Sequence, residues 1–175
     1  MTFHARRCKI KFYLSLPLLT GIALIQSILL SRVSLKGARP DLMLLVVLAW
    51  AAVRSVDEGV VWGFVGGLII DLLSGGPLGA TALALTLAAF WAGQSWGQGF
   101  GIALIRLLLL ALLSTATYYL VLLIILAWTG HAIDWEFALL HVAGPSVLLN
   151  TILTPFVRQP LAWLSSRIRR KGLNL

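Results

Sequence analysis

Residues 102–128, IALIRLLLLALLSTATYYLVLLIILAW, form the longest apolar run of the chain, and Arg106 is the single charged residue in it. A helix rises 1.5 Å per residue, so a helix over this run would be about 40 Å long. The hydrocarbon core of a bilayer is about 30 Å thick. This run therefore predicts a helix that crosses a membrane.

The composition of the whole chain indicates the same class. Of its 175 residues, 59% are hydrophobic and 11% are charged, and the mean hydropathy is +0.95. Soluble domains hold roughly 45–50% apolar and about 25% charged residues, which excludes a cytosolic enzyme and a disordered tail. Cys8 is the only cysteine, which excludes an internal disulfide. The remaining class is an all-α membrane protein with several spans.

Six apolar runs divide the sequence, and we expect each to form one helix of a six-helix bundle in a single integral membrane domain. The predicted helices cover residues 12–30, 41–54, 59–73, 78–93, 102–128 and 137–157. The second run is short for a span, although Arg39 and Arg54 at its ends can reach toward the two interfaces. An arrangement with four crossings and two re-entrant runs stays open as an alternative.

Helix-breaking residues mark the ends of these runs. Residues 74–77, Ser-Gly-Gly-Pro, combine glycines that end a helix with a proline that begins one, and they predict a tight hairpin. Residues 94–101 are rich in glycine and glutamine and predict a loop. Because proline disrupts a helix interior, we expect the last helix to be kinked at Pro145 and to end near Pro155.

Basic residues crowd the two ends of the chain. They are Arg6, Arg7, Lys9, Lys11, Arg167, Arg169, Arg170 and Lys171. Basic residues that flank apolar spans mark the cytoplasmic side and lie near anionic lipid headgroups, so membrane lipids are the expected partners rather than nucleic acid. Both termini are predicted to be cytoplasmic and the number of crossings to be even. Arg32, Lys36 and Arg39 lie outside in this arrangement, against the charge rule.

Asp71 ends the third run directly before the predicted hairpin turn. Ionisable residues in membrane spans usually face a protein interior or a water-filled cavity. One interpretation makes Asp71 a proton or cation site, or the partner of a buried arginine. The other makes it a structural carboxylate that accepts backbone N–H bonds from residues 74–79. We favour the structural interpretation because the turn supplies donors.

Gly59, Gly63 and Gly67 recur every four residues on the third helix and lead into Asp71. Small residues at this spacing let two helix backbones approach closely. The glycine stripe is predicted to pack against another helix of the same chain or to receive a partner's helix. The turn at residues 74–79 is a second candidate surface for a partner.

The sequence carries no signature of catalysis or of a cofactor. His4, His131 and His141 lack the spacing of a metal site, and no G-x-S-x-G, H-E-x-x-H or Walker motif is present. Hydroxyl, amide and imidazole residues on the fifth and sixth runs are predicted to form interhelical hydrogen bonds, with a polar track as the alternative. They are Ser114, Thr115, Thr117, Tyr118, His141, Asn150, Thr151 and Thr154. We expect no enzyme, no metal and no cofactor.

Two motifs carry a resemblance to a known family. Arg39-Pro40-Asp41 opens the second run, and the third helix with its turn reads G-F-x-x-G-L-x-x-D-x-x-S-G-x-P-L-G. In both motifs the chain resembles the bacterial rod shape-determining proteins of the MreD family. The residues that match the second motif are Gly63, Phe64, Gly67, Leu68, Asp71, Ser74, Gly75, Pro77, Leu78 and Gly79.

The resemblance implies a non-enzymatic scaffold of the cell-wall elongation machinery in the bacterial cytoplasmic membrane. It implies MreC, which has a single membrane helix, as the direct partner. MreB, RodA and the elongation penicillin-binding protein would be indirect partners in peptidoglycan synthesis. It also implies a fold like that of the substrate-binding subunits of energy-coupling-factor vitamin transporters, and such a subunit is the alternative function. The short predicted external loops favour the scaffold, because a vitamin pocket needs longer loops to close it.

Overall fold

The structure, a computed structural model, describes residues 4–29, 40–94, 103–130 and 132–171. All regular secondary structure within these ranges is helical. Most of the predicted loop at 94–101 and the segment with Arg32, Lys36 and Arg39 lie outside the described residues.

Each of the six predicted runs coincides with one helical run. The helices are α1 (His4–Leu29), α2 (Leu42–Val53), α3 (Val56–Ser74), α4 (Ala80–Gly93), α5 (Ala103–Trp128), α6 (Trp135–Phe137) and α7 (Gly144–Lys171). A π-helical segment, Ala138–Ala143, joins α6 to α7, so that these three elements form the last run. The largest departures are at the two ends of the chain, where α1 begins earlier and α7 ends later than predicted.

The prediction that the last helix ends near Pro155 is wrong, because α7 continues through Pro155 and Pro160 to Lys171. Proline removes one backbone donor from a helix, but ending the helix in apolar surroundings would leave several backbone groups unpaired. Thr154 adds a local hydrogen bond, because its hydroxyl donates to the carbonyl of Asn150 at 2.8 Å. The helix therefore tolerates the proline.

Pro145 lies directly after the π-helical segment. The backbone N–H of Gly144 donates to the carbonyl of Leu139, five residues earlier, as in a π-helix. A proline ring crowds the carbonyl four residues before it in an α-helix. The wider π turn is one way in which a helix accommodates such a residue, and it lies where the sequence predicted a disturbance.

Two helical segments within the described residues are long and apolar enough to cross a membrane, Leu104–Trp128 and Trp135–Trp163. Shorter apolar helices cover Leu16–Ile28, Leu42–Val53 and Ala80–Gly93. The all-helical architecture agrees with the sequence, whereas six spans remain a prediction.

The helix α2 lies at the centre of the described bundle. It contacts α1, α3, α4, α5 and α7, and eight of its 12 residues are buried. At its end, the ring of Trp50 stacks on that of Trp62 at 4.1 Å, and the Arg54 guanidinium lies over the Trp50 ring. Large apolar side chains such as Phe64, Leu83 and Leu120 remain exposed on the outer surface. An apolar outer surface over a packed interior is the arrangement that a bilayer requires.

Candidate functional site

Asp71 lies one turn before the end of α3 and is 2% exposed. Its Oδ2 accepts the N–H groups of Gly79 and Ala82 at 2.9 and 3.2 Å. Its Oδ1 accepts the N–H of Thr81 at 3.0 Å. The first N–H groups of a helix have no acceptor within that helix. Asp71 on α3 therefore caps the N-terminus of α4.

The turn between the two helices explains why α4 is capped from another helix. Gly75 ends α3 with φ 67°, and Gly79 occupies the N-cap position of α4 with φ 92°. Side chains with an oxygen usually cap a helix from that position, but L-residues rarely adopt such a φ. Glycine fits the backbone and has no capping side chain, and Asp71 supplies the missing acceptor.

The donors differ in part from those predicted. The sequence predicted donors among the N–H groups of residues 74–79, and Gly79 is one of them, whereas Thr81 and Ala82 belong to the first turn of α4. The negative charge of Asp71 also meets the positive end of the α4 dipole. Within the described ranges, no group of three or more His, Cys, Asp or Glu residues could hold a metal ion. This geometry favours the structural interpretation of Asp71.

A second carboxylate, Asp41, caps α2. Its Oδ1 accepts the N–H of Leu44 at 3.0 Å, and its Oδ2 accepts the hydroxyl of Tyr118 on α5 at 2.9 Å. Its own N–H donates to Oδ1 of Asn150 on α7 at 3.1 Å. Pro40, which precedes Asp41 in the motif, is half-buried. One acidic residue thus connects α2 to two other helices.

Gln26 and Tyr119 complete this cluster. Oε1 of Gln26 on α1 accepts the N–H of Met43 in the first turn of α2 at 2.8 Å. Nδ2 of Asn150 donates to the hydroxyl of Tyr119 at 3.3 Å. Tyr118 and Asn150 were among the polar residues predicted from the sequence, whereas Gln26 and Tyr119 were not. Gln26 is a strongly polar residue in the mainly apolar first run, and this was the sequence signal that could have identified it.

Other polar residues of α5 and α7 lie near this cluster, and one of them, the buried Ser146, forms a side-chain hydrogen bond with Tyr119. The hydroxyls of Thr115, Thr117 and Thr154 donate to carbonyls of their own helices. His141 is exposed and stacks on Phe137 with 5.0 Å between the ring centroids. The bonds of Tyr118 and Asn150 cross between helices, as does the bond between Tyr119 and Ser146, so the polar cluster fixes helix positions.

The glycine stripe packs within the chain. A Cβ at Gly59 would collide with Ala51 of α2, and one at Gly67 would collide with the backbone of Ala82 on α4. A Cβ at Gly63 would lie 2.8 Å from the carbonyl oxygen of Leu85. All three glycines are buried against α2 and α4. This packing favours the intrachain alternative, in which α2 and α4 cover the stripe, over the hypothesis that this face receives a partner's helix.

The turn itself stays accessible. Ser74, Gly75 and Gly76 are exposed, Pro77 is half-buried, and Leu78 is 71% exposed. The hydroxyl of Ser74 donates to the carbonyl of Asp71 at 3.4 Å, which tightens the end of α3. The matched motif therefore combines buried residues that join two helices with an exposed tip.

Comparison with known proteins identifies the family. The model of the rod shape-determining protein MreD matches residues 7–164, which include both capping carboxylates, the glycine stripe and the turn. No curated protein and no solved structure matches the chain significantly. The matched family consists of membrane proteins with a role in rod shape determination. The chain belongs to the MreD family of rod shape-determining proteins.

Proposed function

We propose that this protein is a non-enzymatic, multi-pass scaffold in the bacterial cytoplasmic membrane that helps to set rod shape through peptidoglycan synthesis. Residues 1–175 would form one integral membrane domain. An MreC-like bitopic protein would bind it directly and connect it to MreB, RodA and the elongation penicillin-binding protein. The observation that carries the proposal is the family match over residues 7–164.

The architecture of the site supports a scaffold. Its carboxylates accept hydrogen bonds from helix N-termini and from Tyr118, so their acceptor oxygens already have partners within the chain. The hydrogen bonds connect α1, α2, α5 and α7 at one point and α3 with α4 at another. These hydrogen bonds hold the helices in fixed positions relative to one another, so the protein presents the same surface to a partner.

The directions of the first four helices support a cytoplasmic N-terminus. Gln26 near the end of α1 bonds to Met43 at the start of α2, so these two helices run in opposite directions. Gly93 at the end of α4 packs against Val56 at the start of α3, so these two helices also run in opposite directions. The basic start of α1 and Arg54 therefore lie at the same end of the bundle, as the positive-inside rule expects for a cytoplasmic face. Six crossings would bring the basic C-terminus to that face as well.

Reporter fusions test this topology. Fusions at the two termini should report a cytoplasmic location, and fusions after Leu35 and after Trp135 should report an external one. A cytoplasmic signal after Leu35 would contradict six crossings.

Co-purification from native membranes tests the function. The full-length protein, extracted in mild detergent, should retain an MreC-like protein, identified by mass spectrometry of the complex. A bound vitamin together with transporter ATPase subunits, and no MreC-like protein, would contradict the scaffold and favour the vitamin-transporter alternative. An unrelated six-helix membrane protein with the same tag is the control for nonspecific retention.

A further inference from the structure

An open groove runs along the outer surface between α5 and the last helical run. Its volume is about 630 Å³, and its lining is almost entirely apolar. Small residues, Ala116, Ala143 and Gly144, lie beside the larger Leu140 and Leu148 in its walls. Small residues in a membrane helix allow a neighbouring helix to approach closely.

The helical run that forms one wall of the groove carries features that are unusual for a surface in contact with lipid. The π-helical segment, Ala138–Ala143, forms one wall, and Pro145 beside it has no N–H to donate to the preceding turn. His141 in this segment is exposed. Ionisable residues and distorted helices in membranes are usually covered by protein, because lipid offers no hydrogen-bond partners.

Two acidic residues precede the groove along the last helical run. Asp134 and Glu136 lie just before the lining residues of the last run, and both are exposed. Neither forms an ion pair with any residue that the structure describes. Oδ1 of Asp134 accepts the N–H of Phe137 at 3.2 Å, and both carboxylates remain exposed. Exposed carboxylates repel the phosphate of a lipid headgroup and attract a Lys or Arg side chain.

We propose that the groove receives the transmembrane helix of a partner protein that carries Lys or Arg at the outer end of its span. The proposal rests on the proposed function, in which an MreC-like protein is the partner, and it names the surface used. The apolar lining contacts the side chains of the partner helix. Asp134 and Glu136 pair with its basic residues and fix its direction in the membrane.

Site-specific photocrosslinking tests the surface. A benzophenone amino acid replaces Leu140 or Leu148 in the full-length protein within native membranes, and matched variants carry it at Leu83 or Phe90. These control positions on α4 are 50% and 43% exposed, so a crosslinker there can reach the lipids or proteins that lie around α4. The groove positions should crosslink to the transmembrane segment of the MreC-like protein, whereas the α4 positions should not. Lipid adducts alone from the groove, or partner crosslinks from α4 alone, would overturn the proposal.

Charge reversal supplies an independent test. Glu136→Lys should weaken retention of the partner about tenfold, which corresponds to about 1.4 kcal/mol. Asp57→Lys, an exposed substitution at the start of α3, is the matched control and should leave retention unchanged. Unchanged retention with Glu136→Lys would overturn the acidic part of the proposal. If the wild-type protein retains no MreC-like partner, the proposed function fails as well. If the wild-type protein retains the MreC-like partner but the crosslinks come from α4, only the assignment of the groove fails.

Discussion

The carboxylate of Asp71 and the backbone N–H of Gly79 lie 2.9 Å apart, and this contact joins the end of α3 to the start of α4. Gly79 has the positive φ that the turn requires, and it has no side chain to cap its own helix. Asp71 supplies that cap together with two further hydrogen bonds. Asp71 and Gly79 of the family motif therefore act together, because the glycine permits the turn and the aspartate caps the helix that follows it.

Replacement of Asp71 should separate a structural role from a chemical one. Asp71→Leu leaves three N–H groups without an acceptor, at about 1–3 kcal/mol for each buried group, so little folded protein should reach the membrane. Asp71→Asn keeps one acceptor oxygen and should retain part of the stability and substantial shape-determining activity. Thermal unfolding of the purified variants and cell shape in a strain that lacks its own MreD provide the measurements. Normal levels of folded Asp71→Asn protein with complete loss of rod shape would instead indicate an obligatory charge.

Gly79 should tolerate substitution less well than its neighbour Gly76. An L-residue at φ 92° costs about 1–2 kcal/mol, so Gly79→Ala should lower the unfolding temperature. At Gly76, which lies outside the positive-φ region, a Cβ would be 3.6 Å from the Ser74 hydroxyl, an ordinary contact. Gly76→Ala is therefore the matched control. Equal unfolding temperatures for the two variants would contradict the conformation assigned to Gly79.

Much of this site could be predicted from the sequence, and the rest depends on contacts that no local pattern encodes. Asp71 ends the third run, so the sequence predicted that it would lie beside the backbone donors of the hairpin turn. Asp41 was expected at the start of a helix. The bonds of Asp41 to Tyr118 and Asn150 span 77 and 109 residues. Hydrophobic periodicity shows which residues form a helix but not which helices become neighbours. For the same reason the glycine spacing left open whether α4 or a partner would cover the stripe.

Tyr118 should contribute more to stability than Tyr119. Tyr118→Phe leaves Oδ2 of the half-buried Asp41 without its hydroxyl donor, a loss of about 1–3 kcal/mol. Tyr119→Phe removes the acceptor of a longer bond from Asn150 and a hydrogen bond with Ser146, neither of which involves a carboxylate, so the expected cost is about 1 kcal/mol. Unfolding in mild detergent measures both. A larger loss for Tyr119→Phe would show that Asp41 is not the centre of the cluster.

Gly67 tests the intrachain packing of the glycine stripe. Gly67→Ala places a methyl group against the backbone of Ala82, and overpacking of this kind costs about 1–3 kcal/mol. Gly21→Ala on α1 is the control, because nothing lies within 4 Å of a Cβ at that position. The first variant should unfold at a lower temperature, whereas the second should behave as the wild type. A stable Gly67→Ala protein would show that α3 and α4 are farther apart than in this structure.

Complementation tests the central claim, a scaffold that sets rod shape, most directly. The full-length chain is expressed in rod-shaped bacteria that have been depleted of their own MreD, and the ratio of cell length to width is measured by microscopy. Immunoblots of the membrane fraction measure the level of each protein, which should be normal for the wild-type chain and low for Asp71→Leu. We predict that the wild-type chain restores rods, whereas Asp71→Leu leaves the cells rounded. Rounded cells with the wild-type chain at normal membrane levels, in a host whose MreC-like protein it binds, would contradict the claim.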